Sequence, residues 1–564
     1  MHRSFKTHVL HPRSLVGMRF AALALLPIGV AAGQVRQPTD PSQLPRYELT
    51  VAIGLGTPSL SGSARITLPP STAPRDSIAF ALSELYQVSR AELRVDDRVV
   101  QVVRQGKKER PYSRPGWGTN TWSLITATPI PAGKAVQLDV QFSTGAGPMK
   151  ALVFSLGREA AFASGQTSAW YPEIEEAEPH PTGRLRGLRA TGDVEFVIDT
   201  GASIYFPAGR VSRTLDGARQ RQRFRVSSPT YFSFGMGRFT QTGTTYYLKP
   251  RATARANDTL GMRVLRVLER EFGPHPFHSF AVVEVPAADA DSAGFAGASA
   301  DGFILATSEF LDRPFNTAYY GHEIAHQWWG VMVRVSGARG NWMLSEGMSQ
   351  FGSLRAVEEL DPPAVARRYR SDEYPGYLGQ GAKNYFDAVS KGRDAPLADL
   401  PLDGEWSRLL ADSKGFMAWN ALSLLMGRDE FRRALKGITS RYSTSRITWE
   451  SFARELTQHT AADVARFFAD WFDRPGIPEW EVRRKSGAAV LVQLGQPYLA
   501  SVRIDVRTPK CKPRAERVVL TGTSTPLPAS PSSCGRASYD VDPTYEIIHL
   551  TPELRRRFGR ASKD

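Results

Sequence analysis

Tyr320-Gly321-His322-Glu323-Ile324-Ala325-His326-Gln327-Trp328-Trp329-Gly330 is the stretch from which the rest of the chain is read. On an α-helix His322 and His326 stand four residues apart on one face, so their imidazoles converge on one point. Zinc accepts neutral imidazole nitrogen and takes few, tightly held ligands. Glu323 lies about 100° further round the helix. There it does not ligate the same ion but reaches a water beside it, the position of a general base next to a Lewis acid. The bland alternative is a pair of hydrogen-bonded histidines on a core helix, and it weakens further along the chain. Leu344-Ser345-Glu346-Gly347-Met348-Ser349-Gln350-Phe351 opens a second helical pattern, and Glu346 falls 20 residues after His326. That is room for a loop and a returning helix. His322, His326 and Glu346 make three ligands with a fourth position open, the set of a catalytic rather than a structural zinc.

Outward from this stretch the pattern stays helical for some distance. From about 305 to 475 apolar residues recur at helical spacing, including Met417 to Met426 and Ala461 to Phe472. Asn257, Asp258 and Thr259 offer helix caps, and Leu260, Val264, Leu268 and Phe272 recur every four residues up to the breaker Gly273-Pro274. Phe280 to Val285 reads as a short buried strand. Pro475-Gly476-Ile477-Pro478 closes the helical middle. Before about residue 250, segments such as Tyr47 to Ile53, Ala64 to Leu68 and Gln137 to Phe142 alternate apolar and polar residues, as half-buried strands do. Val502, Ile504 and Val506, alternating with Arg503, Asp505 and Arg507, repeat that pattern near the end. The expected architecture is α+β and multidomain: a β domain over 34–250, a mostly helical domain over 251–478 and a small β domain over 479–564. No internal repeat is visible. The acidic run Glu173, Glu175, Glu176 and Glu178 is expected to be a solvated loop.

Composition sets the outer bounds. The chain has 564 residues, 41% hydrophobic and 23% charged, which excludes a disordered or collagen-like chain and a coiled coil. Beyond the N-terminus no apolar run is long enough to span a bilayer. Residues 1–33 read as a secretory signal: Arg3, Lys6, Arg13 and Arg19 precede and open the apolar run Phe20 to Ala32, and Ala31-Ala32-Gly33 offers small residues for cleavage. An exported protein, periplasmic or secreted, with no stable membrane insertion after cleavage is expected. Loss of this segment lowers the net charge from +15 to +11. The remaining charges are scattered, with no Lys/Arg block interleaved with aromatics, so no nucleic-acid partner is expected. The two cysteines, Cys511 and Cys534, are expected to form a disulfide in an exported chain.

The motif around His322, with Trp342-Met343-Leu344-Ser345-Glu346-Gly347, resembles the zinc aminopeptidase family of the gluzincins, the relatives of membrane alanyl aminopeptidase and leukotriene A4 hydrolase. The resemblance extends from about 45 to 550 through Tyr231-Phe232-Ser233-Phe234-Gly235, Ser413-Lys414-Gly415 and Gly476-Ile477-Pro478. It implies a saddle-like β domain, a thermolysin-like catalytic domain and a C-terminal β sandwich. It also implies one zinc ion on His322, His326 and Glu346, Glu323 as the water-activating base, and peptide substrates.

Three departures from the family stand out. The spacer between His326 and Glu346 is one residue longer than usual, an insertion expected in the loop from Ser336 to Gly340. The family's substrate-binding strand matches Gly297-Ala298-Ser299-Ala300-Asp301-Gly302, but Ala300 replaces the Glu that holds a free amino terminus. Strand alternation aims Asp301 at the opposite face. Asp412 stands where the family has a Tyr that hydrogen-bonds the oxyanion, and an ionised Asp has no proton to donate. The metal set is thus complete while the substrate-facing positions, Gly297, Ala298, Ser299 and Asp412, sit in altered surroundings. An aminopeptidase-like metallopeptidase with changed recognition of the N-terminus is expected; the alternative is a weakly active or inactive zinc protein that binds peptides.

Overall fold

The computed structural model describes residues 41–111, 114–175, 187–313, 317–371, 381–402, 404–443, 445–485 and 488–558. The proposed signal at 1–33 lies outside them, as do Glu176 and Glu178. The described residues form one compact unit.

The first half is β. An eight-stranded sheet has Arg46–Gly54 at its middle, antiparallel to Ser59–Leu68 and parallel to Ala190–Asp199. Tyr47, Leu49, Val51 and Ile53 are buried on one face while Arg46 and Glu48 are exposed on the other, which is why this alternation forms a sheet with one dry side. A three-stranded sheet built on Arg75–Ser83, Thr119–Ile130 and Val102–Arg110 joins it, with a five-stranded one running from Ser203–Tyr205 to Met149–Ala151. Glu173 does not behave as a solvated loop residue. It is buried, and its backbone exchanges two hydrogen bonds with Ala81, at 2.8 and 2.9 Å.

A second five-stranded sheet opens the helical part. Thr245–Tyr247, Ala281–Val285 and Phe303–Thr307 run parallel, and Gly297–Ala300 lies antiparallel at the edge. The helix Ala254–Phe272 crosses over and packs Val264, Leu265, Leu268 and Phe272 into the core. Each such side chain contributes about 1.5–3 kcal/mol on burial. This helix starts at least four residues earlier than the caps at 257–259 suggest, with Thr253 at its N-cap position. Asp258 is engaged elsewhere, accepting from Thr244 N–H at 2.7 Å and from its hydroxyl at 2.9 Å, while Asn257 donates to Leu311 O at 2.6 Å. Behind the sheet the helices Thr317–Ala325, Met348–Leu360, Phe416–Met426, Trp449–Thr457 and Val464–Trp471 enclose one aromatic core around Trp419, Trp449, Phe468 and Phe472. Among the described residues no helix is long and apolar enough to cross a membrane.

The C-terminal part holds two three-stranded sheets, Trp480–Lys485 with Ala488–Gln493 and Ser524–Pro526, and Arg514–Leu520 with Ala500–Arg507 and Ser538–Val541. The Cys511–Cys534 disulfide ties the connection between Ala500–Arg507 and Arg514–Leu520 to the segment before Ser538–Val541, a separation of 23 residues. Trp471 Nε1 donates to Leu499 O and Asn420 Nδ2 to Glu546 O, so these sheets are clamped to the helices behind the metal centre.

Candidate metal centre

The helix Thr317–Ala325 is buried along its whole length. Gly321 permits this, since a Cβ there would fall 2.7 Å from Ser353 Cα on the neighbouring helix Met348–Leu360. The close approach brings the Glu346 segment alongside both histidines. His322 Nε2 and His326 Nε2 are 3.1 Å apart, and Glu346 Oε2 lies 3.3 and 3.6 Å from them. His326 is the first residue beyond the helix, with its N–H still 3.2 Å from His322 O.

The opposite ring nitrogens are held by other groups. His322 Nδ1 faces Gln350 Oε1 at 2.7 Å; Gln350 donates to Tyr369 OH at 2.6 Å, and Tyr369 donates to Ser353 Oγ at 2.8 Å. His326 Nδ1 faces Trp329 O at 3.0 Å and Ser349 Oγ at 2.9 Å. Acceptors at these places favour a proton on Nδ1, which turns both Nε2 lone pairs toward Glu346.

Glu346 sits in a π-helical turn, Met343–Gly347, and its Oε2 is buried with no hydrogen-bond partner among the described residues. An orphaned carboxylate oxygen opposite two imidazole nitrogens is costly unless a cation completes it. The charges agree. Burial opposes the His322 cation, but the close Glu346 carboxylate, with those of Asp412 and Glu323, outweighs it and pushes its pKa up to about 9. Burial likewise opposes the Glu346 anion, but His326, His322 and Arg408 hold its pKa well below the usual carboxylate range. Two imidazoles and a carboxylate, with ligand atoms mutually within 4.8 Å, fit one zinc ion.

Glu323 is buried beside this cluster. Ser299 Oγ donates to Glu323 O at 2.6 Å and lies 3.2 Å from its Oε2. A Cβ on Gly297 would stand 2.6 Å from Glu323 Oε1 and 2.8 Å from Tyr319 OH, so glycine here leaves the carboxylate in its present place. Gly297, Ala298 and Ser299 thus line the edge next to Glu323. Gln327 ties this strand to the motif, donating to Ala300 O at 3.0 Å and accepting from Gly302 N–H at 2.9 Å. Asp301 turns away, accepting from Thr230 Oγ1 at 2.5 Å and Tyr231 N–H at 3.0 Å.

Asp412 occupies a second π-helical turn, Ala411–Gly415. Burial first, then the Glu346 charge, raises its pKa. Arg408, four residues earlier, places Nε 3.4 Å from Asp412 Oδ2 and 3.7 Å from Glu346 Oε2. Of the three tyrosines of the preceding segment that could replace the family's Tyr as a donor, Tyr385 donates instead to Asp394 Oδ2 at 2.7 Å, and Tyr374 and Tyr377 lie outside the described residues. Gln350, Ser349 and Arg408 are the residues that reading the sequence missed. Gln350 lay one helical turn after Glu346 and Arg408 one turn before Asp412, spacings that put them on the same faces.

The description "Peptidase family M1 domain" matches residues 316–471, the segment that carries all four metal-centre residues. The probable aminopeptidase 1 of Sulfurisphaera tokodaii is 21% identical over 172 residues, covering 29% of this chain and 20% of that protein. Aminopeptidase N of Lactobacillus helveticus is 23% identical over 158 residues, 28% of this chain and 18% of that one. The matched stretch therefore spans about a fifth of these relatives. Among solved structures, a two-domain M1 zinc metallopeptidase mutant bound to L-arginine superposes with a TM-score of 0.58 at 17% identity, covering 77% of this chain and 94% of that one. An M1 zinc metallopeptidase from Deinococcus radiodurans gives a TM-score of 0.53 at 16% identity, covering 76% of this chain and 94% of its own. These likenesses support the gluzincin aminopeptidase resemblance and the mixed α+β fold.

Proposed function

We propose that the chain hydrolyses peptide bonds with one zinc ion held by His322, His326 and Glu346. The observation that carries this reading is the orphaned Glu346 Oε2 facing two Nε2 atoms, with Glu323 poised beside them. Zinc, when bound, polarises a carbonyl and lowers the pKa of water in the site. The rest is the work of the chain. Glu323 takes a proton from the attacking water and returns it to the departing amine. Ser299 braces Glu323, donating its hydroxyl proton to Glu323 O with Oε2 3.2 Å from the same hydroxyl. The edge strand Gly297–Ala300 has no strand on its outer side among the described residues, which leaves that side for an extended peptide. A likeness to a Deinococcus radiodurans metallopeptidase bound to a Tyr-Ser-Ala substrate supports a peptide ligand.

In this reading residues 1–33 direct export, 34–250 form the β domain, 251–478 the catalytic domain and 479–564 the C-terminal domain. Recognition of the substrate's N-terminus differs from that of the family, because Ala300 carries no carboxylate and Asp301 is spent on Thr230 and Tyr231.

The test is a mass-spectrometric digest of a mixed peptide pool with free and acetylated N-termini, run beside the Glu323→Gln protein. Cleavage by the zinc-loaded chain and none by the variant is expected. Stepwise loss of N-terminal residues would mean aminopeptidase action; internal cuts or removal of blocked residues would mean altered recognition. No cleavage by zinc-loaded protein would overturn the reading in favour of peptide binding without turnover.

A further inference from the structure

Gln327 directly follows the second histidine and is neither ligand nor base in the reading above, yet its side chain is wholly buried. Its N–H still reaches Ile324 O at 3.0 Å, so it rides on the end of the helix that carries the metal motif. Its amide is engaged at one turn, Ala300 to Phe303, which joins the edge strand Gly297–Ala300 to Phe303–Thr307. Nε2 donates to Ala300 O at 3.0 Å and to Phe303 O at 3.3 Å, and Oε1 accepts from Gly302 N–H at 2.9 Å. Two acceptors on one side and a donor on the other fix which way the amide lies. The turn needs glycine at 302, where φ is +82° and a Cβ would stand 2.8 Å from Pro207 Cβ. From the other side Asp301 fastens the same turn to Thr230 and Tyr231. Closer to the base, Ser299 Oγ donates to Glu323 O at 2.6 Å. The edge strand is thus pinned twice to the segment that carries the histidines, once at Glu323 and once at Gln327.

We propose that Gln327 is a positioning residue for the peptide: by clasping the turn Ala300 to Phe303 it sets the register of the edge strand against His322, Glu323 and His326. This rests on the peptidase reading above. Residues of a strand follow one another at about 3.3 Å, and a misplacement of about 1 Å is enough to cost roughly 100-fold in rate. A strand that tilts or slides by a fraction of one residue therefore presents the wrong part of a bound backbone to Glu323. Gln327 does not touch the peptide; it acts through the strand. Strand addition draws its affinity from main-chain hydrogen bonds. Loss of the clasp therefore falls on ligands that lie along the strand and spares those that bind only at the metal set.

The test titrates the zinc-loaded protein with two hydroxamates by calorimetry, with zinc per chain assayed alongside. Acetohydroxamate binds a metal and is too small to lie along the strand. A tetrapeptide hydroxamate carries the same metal-binding group on an extended backbone. The ratio of the two affinities isolates what the strand contributes. Gln327→Met keeps the length of the side chain and removes the amide. It is expected to lower the ratio about tenfold, the contribution of roughly one hydrogen bond. Acetohydroxamate affinity and zinc content should stay near the parent values. An unchanged ratio, or an equal loss for both hydroxamates at full zinc content, overturns the proposal. So does a parent protein that binds the tetrapeptide hydroxamate no better than acetohydroxamate. Should Gln327→Met lose zinc or fail to fold, Gln327→Glu decides. It keeps the shape and an acceptor for Gly302 N–H, but sets a carboxylate oxygen against Ala300 O and Phe303 O. A fall of about tenfold or more in the ratio is expected there too, and a ratio equal to the parent overturns the proposal. Hydroxamate binding needs no turnover. A chain that cleaves no peptide yet shows these ratios would therefore sink the peptidase reading and leave this one standing.

Discussion

Two π-helical turns, Met343–Gly347 and Ala411–Gly415, meet at the metal centre and make opposite use of the same backbone device. Both end in glycine and both close on Met343. A Cβ on Gly347 would fall 2.7 Å from Met343 Cε, and one on Gly415 2.8 Å from the same atom. Each turn carries one carboxylate to the site, as such turns often do where function needs a residue re-aimed. Glu346 meets two imidazoles and is held in its charged form. Asp412 meets no imidazole partner at ligand distance; burial and the Glu346 charge drive it toward the neutral form, and Arg408 answers. Nearest neighbours, not the turn, decide which carboxylate faces the two imidazoles as a ligand.

The comparison breaks most visibly if the two carboxylates are removed in turn. Glu346→Ala should weaken zinc binding by far more than the roughly 10–100-fold seen for outer partners. Asp412→Ala should leave one zinc per chain. Equal loss in both, read by zinc competition with a chelator, would show that the turns are equivalent after all.

Gly297→Ala asks whether the base side is as tightly built as the ligand side. The added Cβ strikes the far end of Glu323, so the side chain moves and the fold survives. Turnover should fall about 100-fold, as for a misplaced catalytic group, with zinc content and thermal midpoint nearly unchanged. Full activity would mean that Glu323 works from another rotamer.

Acid sensitivity should come from outside both turns. His275 packs against Phe277, Phe280 and Trp328, and burial lowers its pKa from 6.5 to about 4 despite the contact of Nδ1 with Phe277 O. The unfolded chain therefore binds more protons between these values. Stability is full above about pH 6.5 and falls as the pH drops toward 4, by roughly 3 kcal/mol in all. Urea unfolding across this range should show the loss in the native protein and a smaller one in His275→Phe. An unchanged slope would place the acid-sensitive group elsewhere.

Smallest is the effect of the shared hinge. Gly347→Ala and Gly415→Ala should each lower stability by about 1–3 kcal/mol through the clash with Met343. Met343→Ala, which removes the obstructing methyl, should relieve much of the added cost in either background. Failure of that relief in a double-mutant cycle would deny that the turns are pinned on one methionine.

What was legible follows from where the information sits. His322, Glu323 and His326 are neighbours on one helix, so their geometry is fixed by covalent spacing. Glu346 was found because its distance along the chain allows one return. The outward turn of Asp301 followed from strand alternation. The π-helical turns were not legible, because one extra residue in a turn leaves apolar periodicity almost intact. The Arg408–Asp412 spacing was on view, but not the carboxylate it faces. The start of Ala254–Phe272 was misjudged because Asp258, an apt cap locally, bonds to Thr244 instead. Glu173 was misjudged because pairing with Ala81 lies far off in sequence.

Crystals of zinc-loaded protein, measured on both sides of the zinc absorption edge, test the central claim most directly. The account predicts a single anomalous peak about 2.0–2.2 Å from His322 Nε2, His326 Nε2 and a Glu346 oxygen, with Glu323 and Asp412 outside ligand distance. A peak elsewhere, or a zinc bound by Asp412 in place of Glu346, would contradict it.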